Sequence, residues 1–385
     1  MSESYTRFLT LSARDQKDVF EAAADRLDTL PSFVEKDFWL CFVLDALYNR
    51  LPDGHPQLLF KGGTALSKAF GLIRRFSEDI DLVVYRDGLG FAAERDPTNP
   101  EGISNKKRKV LFDDLKNACS SYIRGDLAEA LQPLLHARCS IAPDDDGDQQ
   151  TLLIEYPTLY PSTEISYVLP RVKLEAGARS ALDPNATASV MPYIAEELTD
   201  GWSFAVDNIH VIAPQRTYLE KLLILHGAFC GHRDEGRVPA DSDRISRHYY
   251  DVAMITGTEI GRSALADDGL LAAVREHNLI AFRQAWKKFE EATPGSICVV
   301  PATELRAAIE KDYAAMQGMM LGEAVKHRLS TGLWHNFRSP RTQSIGERTI
   351  GPQKFSDAKP SGLVCAPIHA TLSSIIGERG RTLTG

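Results

Sequence analysis

The sequence from Lys61 to Val84 is KGGTALSKAFGLIRRFSEDIDLVV. The apolar run 58–60 in front of it predicts a short strand, and its two glycines predict a turn that opens a helix through residue 75. A second strand is predicted over residues 79–85, where apolar and β-branched residues surround two aspartates. This order of strand, glycine turn, helix and strand decides the fold of the N-terminal part of the chain.

The glycine turn has the features of a phosphate-binding loop. Gly62 and Gly63 carry no Cβ, so an anion can approach the backbone closely. Thr64 adds a hydroxyl at the start of the helix, where backbone amides point towards an anion. Two glycines before a helix are also common in ordinary turns, so the turn alone indicates phosphate binding only weakly.

Asp79 and Asp81 are the candidate metal ligands. Side chains alternate along a strand, so both carboxylates lie on one face and Ile80 and Leu82 lie on the other. Two neighbouring carboxylates repel unless a cation neutralises them, and Mg²⁺ binds through a few carboxylates together with substrate phosphates. The alternative is a solvated strand face, but the apolar surroundings and the preceding glycine turn favour a metal site.

Other segments extend this α+β pattern. Helices are predicted over residues 12–29, with Ser12 as the cap, and after Pro31, the second one with a capping box formed by Ser32 and Glu35. Further strands are predicted at the following positions: 151–157, 165–170 and 171–177. From Pro214 onwards helical periodicity dominates, with further helices predicted near residues 244–256, 264–276, 279–292 and 302–328. We therefore predict an α+β domain over 1–212, a helical domain over 213–338 and a tail over 339–385 whose structure the pattern does not predict.

The composition limits the class of protein. Of the 385 residues, 43% are hydrophobic and 25% are charged, which excludes a wholly disordered chain. The net charge of −8 disfavours a protein that coats nucleic acid. Two local basic patches, 101–125 and 326–348, leave a nucleic-acid contact open. The first is also typical of a solvated helix start, and Trp334 and Phe337 in the second can stack on a base or belong to a core.

Targeting features favour a cytoplasmic protein that does not contact membranes. No apolar run approaches the ~18 residues that a membrane span requires. The N-terminus lacks the basic and apolar regions of a signal peptide. The six cysteines are scattered without a C-x-x-C pair, as is typical of reduced thiols.

The motifs resemble those of a known family. The order of the glycine turn, helix and D-x-D strand resembles polymerase-β-type nucleotidyltransferases. The segments KGGTALSKAFGL and RFSEDIDLV resemble the AbiEii/AbiGii abortive-infection toxins, the nucleotidyltransferase toxins of type IV toxin–antitoxin systems. VEKDFWLCFVLDAL, which precedes the first strand, is also similar, and the resemblance extends from about Val34 to about Ile255. It implies a mixed sheet flanked by helices, followed by a helical domain.

The resemblance also implies site residues. Glu175, within Lys173-Leu174-Glu175, is the implied third metal ligand beside Asp79 and Asp81. Asp251 is the implied base or orienting group for the acceptor, although His248 and Tyr249 depart from the family pattern beside it. The implied nucleotide-binding residues are Lys61, Gly62, Gly63, Thr64, Ser67 and Lys221, and Lys221 is also counted among the catalytic residues.

The implied function is the transfer of a nucleotide from an NTP to an acceptor, with Mg²⁺ or Mn²⁺ as cofactor. The implied acceptor is tRNA, with the acceptor entering between the two domains. The implied outcome is growth arrest in phage defence, with an antitoxin encoded by an adjacent gene that need not bind stably. Two alternatives stay open: transfer to a protein or small molecule, and a regulator that binds an NTP without turnover.

Overall fold

The structure, a computed structural model, describes residues 3–144, 149–161, 169–198, 201–240 and 244–322. These residues fall into two compact units. The first comprises residues 3–217 together with 317–322, and the second comprises residues 218–316. The predicted boundary between residues 212 and 213 falls at the end of the last strand of the first unit. The predicted tail, 339–385, lies outside the described residues.

A mixed sheet forms the centre of the first unit. In the described part of the chain its seven strands have the order β3-β4-β5-β2-β1-β7-β6. Their bounds are β1 Leu58–Lys61, β2 Asp79–Val84, β3 Ser140–Pro143, β4 Thr151–Glu155, β5 Arg171–Gly177, β6 Asn185–Val190 and β7 Val206–Ile212. The β1–β2 pair is antiparallel, whereas the β2–β5 and β1–β7 pairs are parallel. This mixed sheet confirms the predicted α+β class.

Helices flank the sheet of the first unit. Their bounds are α1 Glu3–Leu9, α2 Ala13–Leu27, α3 Pro31–Asp45, α4 Gly62–Lys68, α5 Asn105–Tyr122 and α6 Ala128–Leu131. The Ser12 side chain caps α2 by accepting the Asp15 N–H, as the sequence predicts. Helix α3 is apolar on most sides and is buried from Phe33 to Asp45, with Phe38 and Phe42 completely inaccessible to solvent.

The predicted capping box of α3 is wrong. The helix begins at Pro31, one residue before Ser32, and Leu30 stands at the N-cap without a side-chain hydrogen bond. Proline suits the first helical position because its fixed φ matches the helix and it has no N–H to satisfy. Glu35 is buried and instead accepts hydrogen bonds from the Leu159 N–H and the Thr158 hydroxyl.

Helix α4 is shorter than the sequence pattern predicts. It ends at Lys68 instead of residue 75, because Gly71 adopts a positive φ of 60° that a helix does not contain. The sequence pattern also missed β3, β6 and β7, which are short or contain polar residues on the solvent side. The predicted strand over 165–170 falls mostly outside the described residues.

Helices make up the second unit. Their bounds are α7 Pro214–Glu235, which starts at the end of the first unit, α8 Ser246–Thr256, α9 Glu259–Ala266, α10 Asp268–Ala281 and α11 Thr303–Met316. The helix predicted over 279–292 is wrong beyond Ala281. Lys288 adopts a left-handed φ of 48°, and the segment forms short 3-10 turns instead. Among the described helices, none is both long and apolar enough to cross a membrane.

Residues 317–322 return to the first unit, which the prediction of one helical domain over 213–338 does not anticipate. The Phe76 N–H donates to the Met319 carbonyl at 2.6 Å, and the Leu321 N–H donates to the Arg74 carbonyl at 2.9 Å. These bonds hold the loop that joins α4 to β2. A segment distant in sequence therefore supports the backbone between the glycine turn and the aspartates.

Candidate active site

The pairing of β2 with β5 brings the three predicted acidic ligands to one face of the sheet. The strands are parallel, with Asp81 opposite Glu175 and Asp79 opposite Lys173. Cross-strand partners point to the same face, and so do residues two apart along one strand. Asp79, Asp81 and Glu175 therefore share a face, with Lys173 as a fourth charged neighbour.

Asp79 is a carboxyl group of this cluster whose pKa is shifted by its surroundings. Burial and, to a smaller extent, the nearby negative charges of Glu78, Glu175 and Asp81 together raise the pKa of Asp79 to about 7. The positive charge of Lys36 acts in the opposite direction. The negative charges thus lie close enough to oppose one another, and a bound cation would relieve this repulsion.

Lys173 is a cation beside the acidic cluster that pairs with Glu175. Its Nζ lies 2.7 Å from Glu175 Oε1 and 3.8 Å from Asp144 Oδ2, and the Glu175 side chain is 41% exposed. Within the described ranges, no group of three or more His, Cys, Asp or Glu side chains is already arranged to hold a metal ion. The oxygen donors and their strand register fit a hard divalent cation, but Glu175 would have to leave Lys173 to complete the set.

Gly62 and Gly63 lie so close to other side chains of the protein that neither position has room for a Cβ. Gly62 has a φ of 80°, and a Cβ at this position would collide with the Asp81 carboxylate. A Cβ on Gly63 would lie 2.5 Å from a guanidinium nitrogen of Arg75. The structure thus gives a reason for both glycines that the sequence did not reveal. Their contact with phosphate stays a prediction.

Gly62→Ala is expected to lower both stability and activity. The strained φ and the collision with Asp81 should reduce the free energy of unfolding by roughly 1–3 kcal/mol. Displacing the Asp81 carboxylate by about 1 Å should lower the transfer rate on the order of 100-fold. Denaturant titration and a rate assay measure the two effects.

Gly71→Ala is the matched control for Gly62→Ala. Gly71 also has a positive φ, 60°, but no atom lies within 4 Å of a Cβ built on it. This variant should show the backbone strain, about 1 kcal/mol, with a nearly normal transfer rate. Equal transfer rates for the two variants would contradict the importance of the space beside Asp81.

The other predicted nucleotide-binding residues of the first unit have partners within the protein. The Thr64 hydroxyl is buried, donates to the Asp79 carbonyl and lies 2.9 Å from Ser77 Oγ. Lys61 Nζ donates to Ser180 Oγ at 2.9 Å, and the Ser67 side chain is hydrogen-bonded to Tyr193. Thr64 therefore joins α4 to the start of β2, and direct contacts of these residues with a nucleotide stay predictions.

Lys221 and Asp251 form an ion pair inside the second unit. Lys221 on α7 and Asp251 on α8 approach to 2.9 Å, and their side chains are 8% and 0% exposed. His248 Nδ1 lies 3.5 Å from the Lys221 ammonium. The structure thus joins two residues that the sequence analysis selected separately. Their catalytic roles stay predictions.

Two charged residues of α3 that were not selected from the sequence contact the site elements. Lys36 Nζ lies 2.7 Å from Glu78 Oε2, and Asp37 lies 2.7 Å from the ammonium of Lys68 at the end of α4. Both residues of α3 are buried. The signal was present in the run Glu35-Lys36-Asp37 within an otherwise apolar helix, because buried charges require partners.

A comparison with models of protein families identifies the family of this chain. The chain is similar to the solved structure of MenT4, a nucleotidyltransferase toxin from Mycobacterium tuberculosis H37Rv, with 16% identity and a TM-score of 0.34 over 80% of this chain and 99% of that chain. No curated protein sequence matches significantly. The family model of the nucleotidyl transferase AbiEii toxin of type IV toxin–antitoxin systems matches residues 45–338, most of the chain. The chain therefore belongs to the AbiEii family of nucleotidyl transferase toxins.

Proposed function

We propose that this nucleotidyl transferase moves NMP from an NTP to tRNA in a reaction that depends on Mg²⁺ or Mn²⁺. The observation that carries the proposal is the register of β2 and β5, which aligns Asp79, Asp81 and Glu175 on one face. Family membership supplies the reaction class, with an NTP as substrate and an antitoxin as partner. The metal and the acceptor are our inference.

Asp79, Asp81 and Glu175 would hold the divalent cation. When bound, it would supply positive charge for the triphosphate and its leaving group. Three observations support this assignment: the shared face of the carboxylates, the burial and mutual repulsion that raise the pKa of Asp79 to about 7, and the absence of a Cβ at Gly62. Lys173 would release Glu175 and become available for another anion.

Neighbouring groups of the first unit keep these ligands in place. The Thr64 hydroxyl fixes the backbone at Asp79, and Gly62 leaves space for the Asp81 carboxylate. The first amides of α4 have no partner within the helix, so they are suitable donors for phosphate oxygens. The site thus combines hard oxygen ligands with backbone donors.

In the second unit we propose a supporting role for Asp251. Its carboxylate is inaccessible to solvent and contacts Lys221, so orienting the ammonium group suits it better than accepting a proton from the acceptor. Lys221 keeps its predicted role as a positive charge for the triphosphate. Asp251 is then a positioning residue.

The start of α5 supports an anionic acceptor such as tRNA. Lys106, Lys107 and Lys109 are exposed in its first turns, where the helix dipole disfavours positive charge. Arg108 in the same run donates to the Pro97 and Asn99 carbonyls and is a structural residue. The second predicted patch, 326–348, lies outside the described residues. A tRNA acceptor also places the activity in the cytoplasm.

Transfer of label from an NTP tests the proposal. The purified chain is incubated with Mg²⁺, each NTP labelled at the α-phosphate, and either total tRNA or RNA-free protein extract. Label in tRNA supports the proposal, whereas label only in protein or small molecules supports the alternative acceptors. Tight NTP binding without any transfer would support a non-catalytic regulator, which membership in a transferase family argues against.

A further inference from the structure

We propose that Lys36 is a positioning residue that holds the two ligand-bearing strands in register. This inference rests on the proposed metal role of Asp79, Asp81 and Glu175. The Lys36 ammonium is buried between the segments that precede β2 and β5. It lies 2.7 Å from Glu78 Oε2 and donates to the Leu169 carbonyl at 3.4 Å. One cation on α3 thus contacts the chain in front of both β2 and β5.

Both contacts lie close to the metal ligands along the chain. Glu78 directly precedes Asp79, the first residue of β2. Leu169 lies two residues before the start of β5, and its carbonyl also accepts the Arg171 N–H. Because β2 and β5 are parallel, both strands begin at the same edge of the sheet. A shift of the segment before either strand would therefore move the carboxylates of Asp79 and Asp81 relative to that of Glu175.

The same helix also holds the glycine turn. Asp37, next to Lys36, lies 2.7 Å from Lys68 at the C-terminal end of α4 and accepts the Tyr193 N–H at 2.7 Å. Helix α3 is therefore connected to all three elements that build the proposed site. Its position is fixed in turn by the aromatic core, in which Phe38 packs against Tyr5, Phe8 and Phe204.

The alternative is that Lys36 only satisfies the charge of Glu78. A buried ion pair can often be replaced by apolar residues without loss of stability, whereas loss of one partner is strongly destabilising. The two roles therefore separate in a double variant. Lys36→Met/Glu78→Leu removes both charges, keeps the net charge unchanged, and should recover the stability that Lys36→Met alone loses.

The test is the dissociation constant for Mn²⁺, measured by paramagnetic resonance of the free ion, together with denaturant unfolding. Partners outside the ligand shell typically change metal affinity by about 10–100-fold, so we expect at least about tenfold weaker binding for both Lys36→Met and the double variant. Arg50→Met is the control, since Arg50 forms an ion pair with Asp45 at the other end of α3. It should change the Mn²⁺ dissociation constant by no more than about twofold.

The outcomes separate this inference from the proposed function. A double variant that is stable and binds Mn²⁺ as tightly as the unmodified chain would overturn the positioning role of Lys36. If the unmodified chain itself bound no Mn²⁺, this result would contradict the proposed metal site, on which the role of Lys36 rests. If Lys36→Met did not fold, the double variant would decide the question, because it leaves neither charge of the Lys36–Glu78 pair buried.

Discussion

Asp81→Asn is expected to abolish nucleotidyl transfer while leaving the protein folded. Losing a charged metal ligand should lower the rate about 1,000-fold or more, on the order of 4 kcal/mol of transition-state stabilisation. The charge of Asp81 is one of those that raise the pKa of Asp79. In the absence of divalent ions, removing the charge of Asp81 should therefore leave the free energy of unfolding unchanged or raise it. Transfer assays and denaturant titrations in EDTA measure both.

Asp87→Asn is the control for Asp81→Asn. Asp87 is exposed just beyond the same strand, and its carboxylate accepts the Gly88 N–H. This variant should transfer label normally and arrest growth when expressed, whereas Asp81→Asn should relieve the arrest. Full toxicity of a stable Asp81→Asn protein would contradict the metal role of this residue.

Lys221→Met is expected to have the largest effect on stability. Asp251 would keep its inaccessible carboxylate but lose the ammonium 2.9 Å away. Removing one partner of a buried ion pair typically lowers the free energy of unfolding by about 3–5 kcal/mol. The double variant Lys221→Met/Asp251→Leu should recover most of this loss. Denaturant titrations of the single and double variants measure it.

Arg233→Met provides a matched control on the same helix. Its ion pair with Glu291 is exposed, with side chains 38% and 43% accessible, so its loss should lower the free energy of unfolding by no more than about 1 kcal/mol. The double variant then tests function separately from stability. If it is stable and transfers label at the normal rate, Lys221 and Asp251 have only a structural role, contrary to their predicted place in catalysis.

Local patterns predicted the strand that carries Asp79 and Asp81 and its surroundings. The alternating direction of side chains along residues 79–84 was sufficient to place Asp79 and Asp81 on one face and Ile80 in the core. The glycine turn and the capped helix α2 were also predictable, because their signals lie within a few residues. Glu175 required the family resemblance, since strand register between distant segments is not visible in one sequence.

Features that depend on distant contacts were not predictable. Ser32 and Glu35 match a capping box locally, but burial of Glu35 against residues 158–159 changes its partner. The ion pair of Lys36 with Glu78 joins α3 to the residue directly before β2, so no local pattern contains it. The return of residues 317–322 to the loop before β2 likewise depends on the fold of the intervening chain.

The most direct measurement is a Mn²⁺ titration of Glu175→Gln, because Glu175 is the only proposed ligand outside β2. Its control is Glu155→Gln on the adjacent strand β4, where the side chain is exposed. If the three carboxylates share a divalent cation, Glu175→Gln should weaken Mn²⁺ binding at least about tenfold, and Glu155→Gln should not. Equal Mn²⁺ affinity of Glu175→Gln and the unmodified chain would contradict the shared site.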